Sequence, residues 1–376
     1  MSRRLWSVFL LVPAVALALT EPARAKAHWS AAGVLVAPVN AGNAFALSDG
    51  RVMSVAIPGK AEYGQQNWPV TTQIWSRTAG TWTATGTAPA LPHIYGGIAV
   101  ALNDGRILVT GYCGETCGSG SNAELFDPVT GAWTMPGQMK HGRYGHAMVK
   151  LLDGRVLVMG GCPEMNCMPV ASAELFDPKT GRFTLVPQMH VHRAQLAAAL
   201  LADGRVLVTG GMNGTGALAD DEIYDPATNR WSPQKPMMHP HASHIAIALL
   251  DGRVLVAGGD CGNGRPCREA EIFDPRTRSW SKAGAMHDAR ELPAAALLPD
   301  GSVLVAGGLT AFNDLWYDLE TAEHFDPASN KFIAAKPMAE QRADFSMATL
   351  PNGSILAVGG DGFTDQFAGD AELYTP

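Results

Sequence analysis

Four arginines recur at one position of a repeated pattern, and their chemistry would suit an acidic ligand. Each stands ten residues before an Asp-Gly or Asn-Gly pair: Arg143, Arg193, Arg290 and Arg342. A guanidinium group holds a carboxylate or a sulfate through paired hydrogen bonds, so a ring of such groups could bind an acidic ligand. A residue that recurs in four repeats could equally tie the repeats to one another, and the sequence leaves both interpretations open.

The stretch "HPHASH" breaks this pattern, because His241 occupies the arginine position of its repeat. His239, His241 and His244 are grouped closely enough to hold zinc or copper. Histidines in loops are often simply solvated, and no cysteine or carboxylate stands at a matching local spacing. We therefore predict no cofactor and keep the three histidines as metal candidates only.

Six cysteines form three close pairs, which are Cys113 and Cys117, Cys162 and Cys167, and Cys261 and Cys267. An even number of cysteines in an exported chain indicates disulfides, whereas zinc knuckles favour two residues between the cysteines. We predict three local disulfides, each of which stiffens a loop.

Two carboxylates, Glu291 and Asp344, lie near the recurring arginines and have no counterpart in the other repeats. They are the candidates for acid or base catalysis, although a carboxylate beside an arginine is more often a structural ion pair. The chain contains no nucleophile-elbow, zinc-protease or phosphate-loop motif.

Aromatic residues gather in the longest loops, where Trp68, Trp316 and Tyr317 are candidates for ligand binding. Exposed rings beside carboxylates suit the stacking of sugars or the binding of a protein partner. The alternative is that these rings only cover the ends of the sheets.

The elements that position these residues repeat about every fifty residues. An Asp-Gly or Asn-Gly pair lies between two apolar strands at Asp49, Asp104, Asp153, Asp203, Asp251, Asp300 and Asn352. Such a pair predicts a hairpin with positive φ at both turn residues. A Gly-Gly pair ends the second strand in the last five units, whereas the first unit has Val55-Ala56 there. A loop, a strand such as "AELFDP" and an aromatic strand follow, so each unit has four antiparallel strands and no helical period.

The first 25 residues have the basic start, apolar run and small-residue end of a signal peptide. We expect removal of residues 1–25 and a periplasmic or secreted protein without a membrane span. Loss of the leader changes the formal charge from −7 to −9, and an acidic chain without a basic run is a poor nucleic-acid binder.

The repeat resembles the kelch repeat, with Gly-Gly closing the second strand, Tyr or Phe in the third and Trp in the fourth. The resemblance covers residues 26–376 and implies a seven-bladed, all-β propeller. Trp29 lies 20 residues before Asp49, the spacing found elsewhere between a fourth-strand aromatic and the next turn pair. We therefore expect the N-terminal strand to close the last blade, with Trp29 alongside Leu373.

Length variation is confined to the loop between the second and third strands of each repeat. This loop shares a face with the loop from the fourth strand to the next repeat, and variable loops on a rigid frame commonly carry function. The leading hypothesis is an exported, non-catalytic kelch propeller that binds a glycan or a protein through this face.

The resemblance also offers two enzyme precedents. Galactose oxidase has a similar propeller, but this sequence lacks its Tyr-His pair, so we do not expect a copper-radical oxidase. Exported kelch proteins that interconvert sialic acid anomers give the alternative, a sugar-acting isomerase, mutarotase or lyase that uses the arginines with Glu291 or Asp344.

Overall fold

The computed structural model describes residues 27–36, 43–47, 49–56, 71–85, 95–112, 121–163, 168–360 and 370–376, and these residues form an all-β protein. Within these ranges no helix is long and apolar enough to cross a membrane.

The first strand of the chain is β1 (His28–Val34), and seven antiparallel four-stranded sheets, the blades, contain most of the others. Blade one contains β2 (Asn43–Ala46), β3 (Val52–Ala56), β4 (Thr71–Ser76) and β5 (Thr81–Ala84). Blade two contains β6 (Tyr95–Ala101), β7 (Ile107–Tyr112), β8 (Asn122–Asp127) and β9 (Ala132–Thr134). Blade three contains β10 (Ala147–Lys150), β11 (Val156–Met159), β12 (Ala173–Asp177) and β13 (Arg182–Val186).

Blade four contains β14 (Ala197–Leu200) and β15 (Val206–Thr209), then a small hairpin of β16 (Met212–Asn213) and β17 (Gly216–Ala217), then β18 (Asp221–Asp225) and β19 (Arg230–Pro233). Blade five contains β20 (Ile245–Ala248), β21 (Val254–Ala257), β22 (Cys267–Asp274) and β23 (Ser279–Arg290). Blade six contains β24 (Ala294–Leu297) and β25 (Val303–Ala306), a second hairpin of β26 (Leu309–Phe312) and β27 (Leu315–Asp318), then β28 (Ala322–Asp326) and β29 (Lys331–Ala334). Blade seven contains β30 (Ser346–Thr349), β31 (Ile355–Val358), β32 (Asp370–Thr375) and β1.

The blades form a closed ring around a central axis. Each first strand packs against the first strand of the next blade, and β30 of blade seven packs against β2 of blade one. The predicted seven-bladed propeller, closed by the N-terminal strand, is confirmed. In the closing pair Trp29 faces Tyr374 and Ser30 faces Leu373, one residue from the predicted register. The reason is that Trp29 repeats the aromatic pair of the other blades, with ring centroids 5.1 Å apart.

The hydrophobic core lies between the blades. In the described residues, the buried apolar side chains form seven clusters, and each cluster joins two neighbouring blades. A single four-stranded sheet has two apolar faces and cannot bury both alone, so each blade depends on its neighbours for stability.

The Asp-Gly hairpins differ from the predicted geometry in one respect. The glycine has positive φ, as at Gly154 (φ 89°), but the preceding aspartate does not. Instead, Oδ1 of Asp153 accepts a hydrogen bond from the amide of Arg155 at 2.9 Å. The turn is therefore a longer loop with one left-handed residue rather than a two-residue turn with two.

The Gly-Gly pair marks a close approach between neighbouring blades. The amide of Gly211 donates to the carbonyl of His241 in the next blade at 2.7 Å. A Cβ atom on Gly210 would lie 2.2 Å from the same carbonyl oxygen, so a side chain cannot be accommodated there without a shift of the backbone.

The variable face is the end of the propeller that carries the loops between second and third strands and the linkers between blades. These two sets of connections share one face because every pairing in the blades is antiparallel. The Asp-Gly turns lie on the opposite face.

Candidate functional site

The recurring arginines are enclosed in the protein. Their side chains are 0% exposed in all four blades: Arg143, Arg193, Arg290 and Arg342. In each case Nη1 donates at 2.6–2.8 Å to the carbonyl of the first glycine of the Gly-Gly pair: Gly160, Gly210, Gly307 and Gly359. In each case Nη2 donates at 3.0–3.2 Å to the third-strand glutamate: Glu174, Glu222, Glu323 and Glu372. These contacts support the structural interpretation, and ligand binding by these side chains stays a prediction.

The third-strand glutamates extend this network to the linkers between blades. Glu222 accepts hydrogen bonds from the amides of His190 and Val191 at 2.8–3.0 Å, besides that from Arg193. At Glu323, burial raises the carboxyl pKa, but the amide of His287 and the guanidinium of Arg290 outweigh it and hold the pKa below its usual value. Each glutamate therefore fixes the linker that leads into its own blade.

His241 replaces the arginine in blade five and keeps one of its contacts. Its side chain is fully buried, and Nδ1 donates to the carbonyl of Gly258 at 2.7 Å. Since a carbonyl only accepts, Nδ1 carries the ring proton. The other nitrogen, Nε2, lies 3.6 Å from Oε1 of Glu271.

The three candidate metal-binding histidines have three different hydrogen-bond partners. His239 Nδ1 lies 3.3 Å from Oε1 of Glu271, and His244 Nε2 lies 2.8 Å from the hydroxyl of Thr209. Burial holds the pKa of His244 well below its usual value, so this ring is neutral. Metal binding by the three histidines together stays a prediction. The structure brings His241 close to Cys261 and Cys267 instead.

The predicted disulfide between Cys261 and Cys267 is present and closes the blade-five loop, with the two Cα atoms 5.8 Å apart. Cys113, Cys117 and Cys167 lie outside the described residues, so the other two predicted disulfides stay predictions. Cys162 is described and forms backbone hydrogen bonds with Tyr144 at 2.7 and 2.8 Å.

A collar of left-handed residues surrounds the axis on the variable face. It consists of the residue two positions after each recurring arginine or His241, with φ between 50° and 62°: Gly145, Gln195, Ser243, Leu292 and Asp344. The amide of each of the last four donates to the carbonyl of the preceding member, at 2.7–3.2 Å. These hydrogen bonds link blades three to seven at the start of their first strands and offset the cost of four non-glycine residues in this conformation.

The two catalytic candidates lie at this collar. Asp344 is a member of it and is exposed. Glu291 precedes Leu292, and its backbone pairs with that of Leu309. Burial raises the pKa of Glu291, the charge of Asp260 adds to this effect, and a hydrogen bond with Ser243 opposes it. Glu291 therefore keeps its proton to higher pH than an ordinary glutamate.

An aromatic hairpin projects from blade six on the variable face. Asn313 and Asp314, both with positive φ, form the turn between β26 and β27. Next to the turn, Phe312 is 65% and Leu315 is 70% exposed, and Tyr317 is 40% exposed. Trp316 is half-buried beside them. The remaining aromatic candidate, Trp68, lies outside the described residues.

The hairpin contacts the neighbouring blade through an exposed ion pair that the sequence analysis did not predict. Nη2 of Arg265, in the disulfide-closed loop of blade five, contacts Oδ1 of Asp314 at the hairpin turn. The two residues are 49 positions apart, so no local pattern relates them.

Asp221 is a second residue that the sequence analysis missed. It stands where blades two, three, five, six and seven have alanine, as the comparison of "DEIYDP" with "AELFDP" could have shown. The side chain is buried, and burial raises the pKa of its carboxyl to about 8 despite the opposing charge of Arg193. The carboxyl is therefore largely protonated at neutral pH.

Comparison with solved structures supports the fold. A fungal alcohol oxidase, described as novel, with catalytic diversity among the AA5 family and in complex with copper, has a TM-score of 0.71 and 19% identity. That alignment covers 93% of this chain and 76% of the oxidase. The structure of YjhT has a TM-score of 0.58 and 16% identity, covering 74% of this chain and 93% of YjhT. At such identities the likeness shows the fold alone.

Sequence comparison shows the family. The comparison with curated proteins finds no match. The family described as the KLHDC2/KLHL20/DRC7 Kelch-repeats domain matches residues 96–308, which is more than half of the chain. The matched residues run from β6 of blade two into blade six, where the Gly-Gly pairs, third-strand glutamates and aromatic pairs recur in register. The chain therefore belongs to the kelch-repeat family of β-propellers.

Proposed function

We propose that this chain is an exported kelch propeller that acts by binding a protein or a glycan through its variable face. The kelch propeller indicates a binding or scaffold role. The aromatic hairpin of blade six carries the proposal, because it presents Phe312 and Leu315 to solvent next to Trp316 and Tyr317. Large exposed apolar side chains grouped in this way are typical of interaction sites.

The surroundings of the hairpin support the same proposal. The disulfide between Cys261 and Cys267 stiffens the neighbouring loop of blade five, and Arg265 of that loop contacts Asp314 at the hairpin turn. A binding surface that is already ordered loses less conformational entropy when a partner binds. The disulfide is also compatible with the oxidising compartment that the predicted signal peptide implies.

Between the two partner classes, the exposed side chains favour a protein. Phe312 and Leu315 offer apolar surface without hydrogen-bonding groups, which suits an apolar pocket on a protein. Tyr317 and Trp316 are the residues that a sugar would stack on, since their rings combine an apolar face with a polar edge. Binding of a protein should therefore depend mainly on Phe312 and Leu315, and binding of a sugar mainly on Trp316 and Tyr317.

Substitution of the hairpin residues tests the proposal. Binders are first selected from a displayed peptide library and from a glycan array. We expect the double substitution Phe312→Ser and Leu315→Ser to weaken the selected interactions by about tenfold or more, as loss of a central apolar contact does. Val129→Ser is the control, since Val129 is 91% exposed on the opposite face. Equal affinities for the two variants would contradict the proposal.

A second candidate function is a sugar-acting isomerase, mutarotase or lyase. The raised pKa of the Glu291 carboxyl at the collar favours it. The four buried arginines give no support, because their Nη donors contact the scaffold. If the chain is such an enzyme, we expect Glu291→Gln to lower turnover at least a hundredfold without a change in melting temperature. Anomeric exchange of acidic sugars, followed by NMR, measures this. Glu320→Gln on the same face is the control, and absence of exchange by the unaltered protein would exclude a mutarotase.

A further inference from the structure

Three potential metal ligands meet at the blade-five loop, and a fourth lies beside one of them. The donor atoms of His241, Cys261 and Cys267 lie within 4.8 Å of one another. Sγ of Cys261 is 3.9 Å from Nδ1 of His241 and 3.8 Å from Oε2 of Glu269. Two sulfur atoms, one imidazole nitrogen and one carboxylate oxygen form a ligand set typical of zinc.

The two separations from Sγ of Cys261 are close to those around a tetrahedral zinc ion. Bonds of about 2.3 Å to sulfur and about 2.1 Å to nitrogen or oxygen place neighbouring ligand atoms roughly 3.5–3.8 Å apart. The contacts of Cys261 with His241 and Glu269 are close to this range. The two sulfur atoms are the exception, because they are joined as a disulfide. A disulfide and a bound metal ion are therefore mutually exclusive in this loop.

The environment of His241 also suits a metal ligand. To bind through Nδ1, the ring must transfer its proton to Nε2. That nitrogen is buried, has no hydrogen-bond partner and lies 3.6 Å from the carboxylate of Glu271. A carboxylate behind the second ring nitrogen is the arrangement that orients most metal-binding histidines.

This combination occurs in one repeat of the sequence. The equivalent position is arginine in blades three, four, six and seven, and a guanidinium group does not bind metal ions. Blades two and three also carry cysteine pairs in the corresponding loop, but neither has a histidine at this position. A histidine at this position therefore accompanies a cysteine pair only in blade five.

We propose that the blade-five loop is a redox-controlled Zn²⁺ site, with Cys261, Cys267 and His241 as ligands and Glu269 completing the set. A dithiol reductant transfers two electrons and two protons to the disulfide and is itself oxidised to a disulfide, which leaves two thiols. Zn²⁺ then displaces the two thiol protons as it binds. In the reverse direction a disulfide oxidant accepts two electrons from the two thiolates and two protons from solvent and becomes a dithiol, which expels the ion and restores the disulfide of the loop.

The experiment measures zinc bound to the full chain before and after reduction by a phosphine. We expect the reduced protein to bind one more zinc ion per chain than two reduced variants, His241→Arg and the double variant Cys261→Ser with Cys267→Ser. The other four cysteines are present in all three proteins and contribute equally to each. His241→Arg restores the residue of the other blades, so the hydrogen bond to Gly258 is kept while the imidazole is lost.

Three further measurements make the test specific. In the reduced protein we expect zinc to raise the melting temperature of the unaltered chain but not that of His241→Arg, and Glu269→Gln to weaken zinc binding about tenfold or more. Cobalt(II) in place of zinc should show thiolate charge-transfer absorption that both variants lack. Equal zinc content in the reduced protein and in His241→Arg would overturn the proposal. Zinc binding that does not depend on reduction would also overturn it.

Discussion

Replacement of Arg193 by methionine is expected to lower the free energy of unfolding by about 3–5 kcal/mol. The guanidinium group is fully buried and donates to the carbonyls of Gly210 and Asp220 and to the carboxylate of Glu222. Without it, the buried carboxylate group of Glu222 retains only the amides of His190 and Val191 and Nδ1 of His190 as donors, and two carbonyls lose their partner. Denaturant unfolding followed by circular dichroism measures the loss.

The matched control is an arginine in an exposed ion pair. Arg51 contacts Asp49 at 2.7 Å on the opposite face, and both side chains are largely solvated. Arg51→Met should cost less than about 1 kcal/mol, because water already screens this pair. If Arg193→Met lowers the free energy of unfolding no more than Arg51→Met does, the buried network does not stabilise the fold. That result would favour the ligand-binding interpretation of the arginines.

Substitution of Asp221 by alanine, the residue of five other blades, should remove a large pH dependence of stability. Its carboxyl pKa is about 8 in the folded protein, against an ordinary value of 3.8. Between these two pH values the folded state binds more protons than the unfolded state, so stability falls as the pH rises. The contribution is fully present below about pH 4 and is lost by about pH 8, at a cost of several kcal/mol.

Melting temperatures between about pH 5 and pH 9 test this expectation. Above about pH 8, Asp221→Ala should be more stable than the unaltered protein, and its melting temperature should depend less on pH. Asp225→Ala is the control, since the amide of Ala227 holds the pKa of Asp225 below its usual value. The stability that the ionised carboxyl of Asp225 contributes is lost only as the pH falls below about 4. Parallel pH profiles for Asp221→Ala and the unaltered chain would contradict the assignment.

The architecture could be predicted because each blade repeats the residues that build it. The Asp-Gly turns, the Gly-Gly pairs and the paired aromatics depend on local spacing, and Trp29 completes the same spacing in blade seven. The predicted register of β1 against β32 was wrong by one residue, because the aromatic pair rather than the apolar run decides that Trp29 faces Tyr374.

The environment of the recurring arginines could not be predicted in the same way. Their position ten residues before the turn places them correctly at the start of the first strand. Whether the side chain points to solvent or into the blade depends on the backbone of the collar. Gln195, Ser243, Leu292 and Asp344 share one left-handed conformation but no residue type, so the sequence contains no sign of it.

Contacts between loops were also beyond the sequence analysis. His241 and Cys261 are 20 residues apart and approach only because the strands between them fold back in one blade. Asp221 is different, since a charged residue at an alanine position of a repeat was visible. The raised pKa of Asp221 depends on burial by the neighbouring blade, and the sequence of one repeat does not show that burial.

The closing pair of strands has a consequence for how the protein is made. Ser30 and Leu373, which face each other in blade seven, are 343 residues apart, whereas the other blades pair strands within one repeat. During synthesis, six blades can assemble while β1 waits for its partner at the far end of the chain. Until then β1 and the free edge of β32 lack their partner, and each can pair with the complementary strand of another copy if that copy is concentrated enough to compete with the chain's own strand. Closure of the ring therefore competes with pairing between chains, and a high concentration of incompletely folded chains favours the pairing between chains.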